Sequence, residues 1–336
     1  MKRLVVIWIP LFFAACTLIY DDLSVCGEEL VVDYQLQLHT ELSMQLQTEL
    51  MTEAEEPVRY SLGKWLAPIF TDKAKDVDLR FYSGATDEIR HQIQEEINDQ
   101  RTSYTIRLPQ EDYMHLGVAN IEDNHAVRLT GGAHSETMEL ALTADPEIPS
   151  LNTGVFTARM PMSVGDTSAR FEVHLYMATC AVALVVDTTV CDSLVSMYAI
   201  LSGSASRFAL RDSVYSYDGG QKIVCEEVAV TTPAKAPART LAPTDSTQTD
   251  TYSCFAASMF PTADDRPWEL VVETTLRGNR HTTTTMTIDE PVQAGTLRIL
   301  RVYVDGKGAV LPDKGQEMAV TVSLDWKQGG EHDIEL

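Results

Sequence analysis

Leu30-Val31-Val32-Asp33-Tyr34-Gln35-Leu36-Gln37-Leu38-His39-Thr40-Glu41-Leu42-Ser43-Met44-Gln45-Leu46-Gln47-Thr48-Glu49-Leu50 decides the fold class. Every even position from Leu30 to Leu50 is apolar or threonine, and the odd positions are mostly polar. A period of two puts all the apolar side chains on one face of a strand, whereas a helix would scatter them around its circumference. The stretch is longer than the three to ten residues usual for a strand. It therefore predicts either a bent strand or two strands with a break near His39 to Ser43.

The same pattern recurs outward from that stretch. Val77–Tyr82, Tyr104–Leu108, Tyr113–Val118, Glu172–Tyr176 and Ala181–Val186 read as strands, as do Trp268–Leu276, Thr282–Ile288, Leu297–Val304 and Met318–Trp326. Gly131-Gly132, Asp218-Gly219-Gly220, Gly278-Asn279 and Asp305-Gly306 between them accept positive φ and mark turns. Helical signal is sparse. Tyr60–Phe70 could hold a short helix, and Thr86–Asn98 reads equally as a helix or a charged strand pair. The chain reads as all-β, and 336 residues fit two β-sandwiches in tandem. Pro146 and Pro149 interrupt any ladder and Pro161 follows, which sets a boundary near residue 160. This gives one sandwich over 28–160 and a second over 161–336. The second contains a Pro/Thr-rich loop at about 231–253, with Pro233, Pro237 and Pro243.

Composition narrows the function. A hydrophobic fraction of 44% spread along the chain is enough to build cores, and 49 acidic against 26 basic residues give a net charge of −23. Such a surface is repelled by phosphate backbones, so nucleic-acid binding is disfavoured and no nucleic acid is expected as a partner.

The first residues differ from the rest. Lys2 and Arg3 precede an apolar run from Leu4 to Phe13, and Ala14 and Ala15 stand before Cys16. This is the pattern of an export signal, and the run is short of the roughly 20 residues needed to span a bilayer. Phe13-Ala14-Ala15-Cys16 resembles the lipobox of bacterial lipoproteins, with Phe13 in place of the usual leucine. The resemblance implies a signal peptide over 1–15, cleavage before Cys16, lipid attachment to its thiol and a tether over 16–27. Ordinary signal-peptidase cleavage is the alternative, and it would put bulky Phe13 in a subsite that takes small residues.

Five cysteines remain once Cys16 carries lipid, so at least one stays unpaired. Cys225 and Cys254 flank the Pro/Thr-rich stretch and could staple its base, and Cys180 and Cys191 could pair across adjacent strands. Buried free thiols are the alternative for all four. No CxxC pair is present.

The sequence carries no phosphate-binding glycine loop, no His-Glu-x-x-His, no calcium loop and no Gly-x-Ser-x-Gly. His115, His125 and His134 are the closest histidines in sequence order, at spacings that fit no metal-ligand pattern. Paired acids such as Glu226-Glu227 and Asp264-Asp265 arise by composition in so acidic a chain and face solvent. No catalytic residue, metal or cofactor is assigned.

Cys16-Thr17-Leu18-Ile19-Tyr20-Asp21-Asp22-Leu23-Ser24-Val25-Cys26 is similar to the start of the FimB-type fimbrial anchor lipoproteins of type V pili, found in Bacteroidales-type fimbriae. Weaker similarities follow in the family's order at Val77–Tyr82, Tyr113–Asn120, Gly154–Phe156 and Glu172–Asp187. Val118-Ala119-Asn120 departs from the family's aromatic-rich strand end, and His174–Met177 lacks its arginine. The resemblance implies two transthyretin-like, Greek-key sandwiches held at the outer membrane by Cys16, facing the cell surface. It also implies a fimbrial shaft subunit as partner, bound by strand addition. Binding of that kind needs no catalytic residue.

A non-enzymatic fimbrial anchor or accessory subunit is therefore the first reading. A glycan-binding surface lipoprotein of a nutrient-uptake system is the alternative, and an exposed Trp268 or Trp326 beside a polar groove would favour it. A secreted hydrolase would need two carboxylates or a Ser/His pair converging in a pocket.

Overall fold

The computed structural model describes residues 30–38, 56–71, 74–97, 103–165, 167–231, 251–313 and 318–325. The leader, the lipobox with Cys16, the second half of the opening stretch and most of the Pro/Thr-rich segment lie outside them. β1 (Leu30–Leu38) is the first half of that stretch; it buries Val32, Tyr34 and Leu36 and exposes Val31, Asp33 and Gln37. Helix α1 (Glu56–Leu66) buries Val58, Leu62 and Leu66 at helical spacing against the same core. β2 (Asp76–Ser83) and β3 (Ile89–Glu96) form a hairpin, so the ambiguous segment is strand over Ile89–Glu96. β4 (Ser103–Leu108) and β5 (Asp112–Ala119) follow. After β6 (Val127–Thr130), β7 (Glu139–Leu142) and β8 (Glu147–Pro149) come β9 (Phe156–Ser163) and β10 (Arg170–Met177).

The first sandwich packs the sheet β3-β2-β5-β9 over β10-β1-β4. The two are joined at a corner where β9 and β10 pair only through Thr157–Tyr176 and Phe156–Met177. All its ladders are antiparallel except β1 against β10.

The second sandwich begins with β11 (Cys180–Asp187), β12 (Leu194–Ser202), β13 (Arg207–Ala209) and β14 (Val214–Ser216). It continues through β15 (Lys222–Val224), β16 (Glu226–Val228), β17 (Tyr252–Met259) and β18 (Trp268–Leu276). It closes with β19 (Arg280–Ile288), β20 (Leu297–Val304), β21 (Val310–Pro312) and β22 (Ala319–Asp325). One sheet runs β16-β17-β11-β20-β21, the other β22-β19-β18-β12-β15-β8, and a small sheet β14-β13-β7-β6 lies beside them. Gly278 and Asn279, with φ of 82° and 58°, turn β18 into β19 as the sequence predicts.

β11 joins the two bodies. Cys180, Val182, Leu184 and Val186 enter the second core, whereas Ala181, Ala183 and Val185 belong to the first. Its unbroken apolar sequence follows from being covered on both faces, and small alanines on one side let the two bodies approach closely.

The halves repeat one topology. β3-β2-β5-β9 matches β15-β12-β18-β19, and β10-β1-β4 matches β20-β11-β17, with β1 parallel to β10 and β11 parallel to β20. The matching strands follow in the same chain order although the sequence has no repeat. The first set ends at Met177 and the second starts at Cys180. The boundary expected near residue 160 therefore falls inside β9, whose ladder with β5 runs from Phe156 to Ser163. Pro161 is tolerated there because β9 is paired on only one side at that point. Pro149 ends β8, which pairs with β15 of the second body, and β7 likewise pairs with β13. The prolines mark a short edge strand, and the chain crosses between the bodies before the first is complete.

Candidate functional site

Cys180, Cys191, Cys225 and Cys254 are all free and buried, so neither expected disulfide forms. For Cys225 and Cys254 the reason is strand alternation. Cys254 and Ala256 on β17 face the first core, whereas Phe255, Ala257 and Cys225 face the second. Burial pushes the Cys225 and Cys254 thiols up to about 12 and Cys180 higher still, so these thiols are held protonated and unreactive.

The three neighbouring histidines do not meet. His115 is buried in the first core, whereas Nδ1 of His134 donates to the Asp87 carbonyl at 3.0 Å on the surface. Among the described residues no group of His, Cys, Asp or Glu is placed to hold a metal ion, and no helix is long and apolar enough to cross a membrane. Trp268 is 1% exposed and donates its Nε1–H to the Glu290 carbonyl at 2.8 Å, so it offers no face to a sugar. Trp326 lies outside the described residues. Trp65 on α1, which the sequence reads as a core or interface residue, is half-buried and donates to Glu226 at 2.9 Å. It lines a groove of about 500 Å³ with Pro68, Ile69 and Asn152.

The opening that the fold itself creates lies in the second sandwich. In the first, β2 is covered by β3 along seven positions, Asp76 to Tyr82. The matching strand β12 is paired by β15 only at Ile200 and Leu201. Among the described residues no strand lies beside the same edge of Leu194 to Tyr198. A bulge at Val195 interrupts the ladder on the other side, with β18.

A groove of about 870 Å³ opens between this half-strand and the ends of β16 and β17. Its floor is Leu194, Met197, Val228 and Phe255, and Asp192 and Glu227 stand on its rim. Val190, Val195 and Tyr198 are 65%, 62% and 38% exposed. They are three of the seven large apolar side chains exposed among the described residues, and they fall within nine positions of the chain. Burial raises the Tyr198 hydroxyl above its usual range, and the nearby carboxylates of Glu147 and Glu273 raise it further.

Sequence reading missed β12 altogether. Val195-Ser196-Met197-Tyr198 shows no clean alternation, and the apolar Ala199-Ile200-Leu201 gives the only hint of a strand.

No protein-family model matches the chain, and no curated protein matches it. Solved structures do. A candidate adhesin from Bacteroides thetaiotaomicron aligns with 87% of this chain and 96% of its own at 9% identity and a TM-score of 0.56. A candidate polysaccharide-binding protein from the same organism aligns with 89% of this chain and 99% of its own at 10% identity and a TM-score of 0.52. A fimbrial anchor protein from Porphyromonas gingivalis aligns with 88% of this chain and 98% of its own at 11% identity and a TM-score of 0.49. At these identities the likeness is one of fold, and the chain has the tandem β-sandwich architecture of the two Bacteroides proteins over nearly its whole length.

Proposed function

We propose that this chain is a non-enzymatic cell-surface lipoprotein, tethered to the outer membrane through Cys16, that serves as an anchor or accessory subunit of a fimbrium and binds a shaft subunit by strand addition. The observation that carries the reading is the Cys16–Cys26 segment, similar to the start of fimbrial anchor lipoproteins, followed by two sandwiches of one topology. A lipid on the thiol supplies the tether, because acyl chains contribute about 0.8 kcal/mol per buried CH₂ and several together hold a protein on a membrane. A sandwich with an uncovered edge supplies the grip, through main-chain hydrogen bonds and pockets for alternate side chains.

The test is made in cells. With Cys16→Ala the protein loses acyl label and fimbriae are shed into the medium. Fimbriae that stay attached to cells carrying this variant end the anchor reading.

A glycan-binding surface lipoprotein is the second reading. It is favoured by the half-buried Trp65 beside its groove and by the polysaccharide-binding description of one structural neighbour. Quenching of Trp65 fluorescence by an oligosaccharide, abolished by Trp65→Ala, would select it.

A further inference from the structure

Repetition of one topology shows where the described residues of the second sandwich depart from the first. A whole strand, β3, covers β2 in the first body, whereas among the described residues the same edge of β12 is covered only at Ile200 and Leu201, with one more bond from the Cys225 N–H to the Ala199 carbonyl at 2.9 Å. An uncovered strand edge carries N–H and C=O groups in the geometry of a ladder and is a template for pairing with another chain. Proteins commonly blunt such edges with charge or proline. This one instead carries the exposed Val195 and the half-exposed ring of Tyr198, with exposed Val190 in the turn before the strand.

We propose that Leu194–Tyr198 of β12 is the acceptor edge for an extended, cation-flanked segment of a partner polypeptide. This rests on the strand-addition reading above and deepens it by naming the edge and the chemistry of the guest. A strand laid along Leu194–Tyr198 spans about 17 Å at ~3.4 Å per residue. Its inward side chains meet Leu194, Met197, Val228 and Phe255, so alternate apolar residues of β-branched size suit the floor. Its outward residues and ends face an acidic rim. Asp192 and Glu227 form no ion pair among the described residues, and Glu147 and Glu273 flank Tyr198. Arg277 is the one cation lining the groove.

The chain's own neighbouring segment is a poor substitute for such a guest. Between Thr231 and Thr251 its sequence contains Pro233, Pro237 and Pro243, each without the N–H that a ladder uses, and Leu241 is its only large apolar residue, so it has no alternating apolar side chains for the floor. The guest therefore comes from another molecule, with Lys or Arg flanking the apolar alternation.

The full chain is titrated with fluorescein-labelled KVTVTVK, followed by anisotropy, and with EVTVTVE in parallel. Saturable binding of the cationic peptide is expected, with affinity at least about tenfold weaker for the acidic one, a difference of about 1.4 kcal/mol. Val195→Lys weakens binding by a similar factor. Met197→Pro, which removes an edge N–H, does the same. Val214→Lys, at an exposed valine on another sheet, leaves it unchanged. Amide exchange at Met197 slows in the complex. Val195 is exposed, so its substitution reports on the edge even if Met197→Pro disturbs folding. Absence of saturable binding, or equal affinity for the Val195→Lys and Val214→Lys variants, overturns the proposal. The titration needs neither lipid nor fimbria, so its failure is separable from failure of the anchoring reading, which the Cys16→Ala cells test.

Discussion

The Tyr34 hydroxyl lies 2.5 Å from Nε2 of His115, with both side chains buried in the first sandwich. On the other side of the ring, Nδ1 is 3.0 Å from the Arg80 carbonyl, an acceptor only. Nδ1 therefore carries the proton and donates to Arg80, and Nε2 accepts from Tyr34. The ring stacks on Phe81 at 4.4 Å between centroids. A neutral imidazole thus ties β1, β2 and β5 together across the core, with both nitrogens satisfied.

That arrangement makes stability depend on pH. Burial lowers the His115 pKa from 6.5 to about 4. Between those values the unfolded chain binds more protons, so the contribution is complete above about pH 6.5 and is lost as pH falls towards 4. The shift corresponds to about 3 kcal/mol. Urea unfolding of the wild type and of His115→Gln at pH 7.5 and pH 4 reads it as the difference between the two proteins' pH dependences. Parallel stability curves would refute a neutral buried histidine.

Asp78 gives a second prediction. Its carboxylate accepts from Arg80 Nε at 2.9 Å and Nη2 at 2.8 Å, and from the Gln92 and Gln94 side chains on β3. The pair is largely buried, at 14% and 10% side-chain exposure. Asp78→Ala leaves a guanidinium without its carboxylate and costs about 3 to 5 kcal/mol. Asp78→Leu combined with Arg80→Met costs less than the single change, because no buried charge is stranded. Chemical denaturation of the two variants decides the order.

How far the sequence announces this fold varies with the element. The alternation in β1, the apolar run of β11 and the Gly278-Asn279 turn are local signals, and the structure follows them. The boundary was illegible because β7 and β8 find their partners in β13 and β15, dozens of residues downstream, and no local pattern encodes that crossing. The β12 edge was hidden for a different reason. It is defined by where β15 stops, and Val195 and Tyr198 look like ordinary surface residues until the matching strand β2 shows what should lie beside them.

The cysteines furnish a third prediction. Cys180, Cys191, Cys225 and Cys254 are buried, and burial holds the thiols of Cys180, Cys225 and Cys254 well above the usual thiol range. The native protein at pH 8 should leave all four unalkylated by iodoacetamide, and guanidinium should open all four to it. Peptide mass mapping reads the result. A Cys225–Cys254 or Cys180–Cys191 disulfide peptide from unreduced protein would contradict the placement of these side chains.

Asp87 carries the last prediction, which concerns how the β2–β3 hairpin is held to the rest of the chain. It sits at φ 56°, a left-handed conformation that asparagine and aspartate tolerate better than alanine. Its carboxylate accepts from the Ser135 hydroxyl and from the Glu136 N–H at 3.3 Å, and Arg211 Nη1 lies 3.5 Å away. Arg211 in turn donates to Ser135 at 3.1 Å and pairs with Glu136 at 2.9 Å. One residue thus fixes the hairpin of the first sandwich to the loop between β6 and β7, whose ladder continues into β13. Asp87→Ala removes the acceptors and strains the turn, at a cost of about 1 to 3 kcal/mol. Asp87→Asn keeps the turn and one acceptor oxygen and should cost less than half as much. Limited proteolysis adds a local readout, because cleavage between Gly131 and Thr137 should accelerate in the alanine variant before global stability is lost. Equal protection of that loop in wild type and Asp87→Ala would mean that the ladder of β6 and β7 holds it without the aspartate.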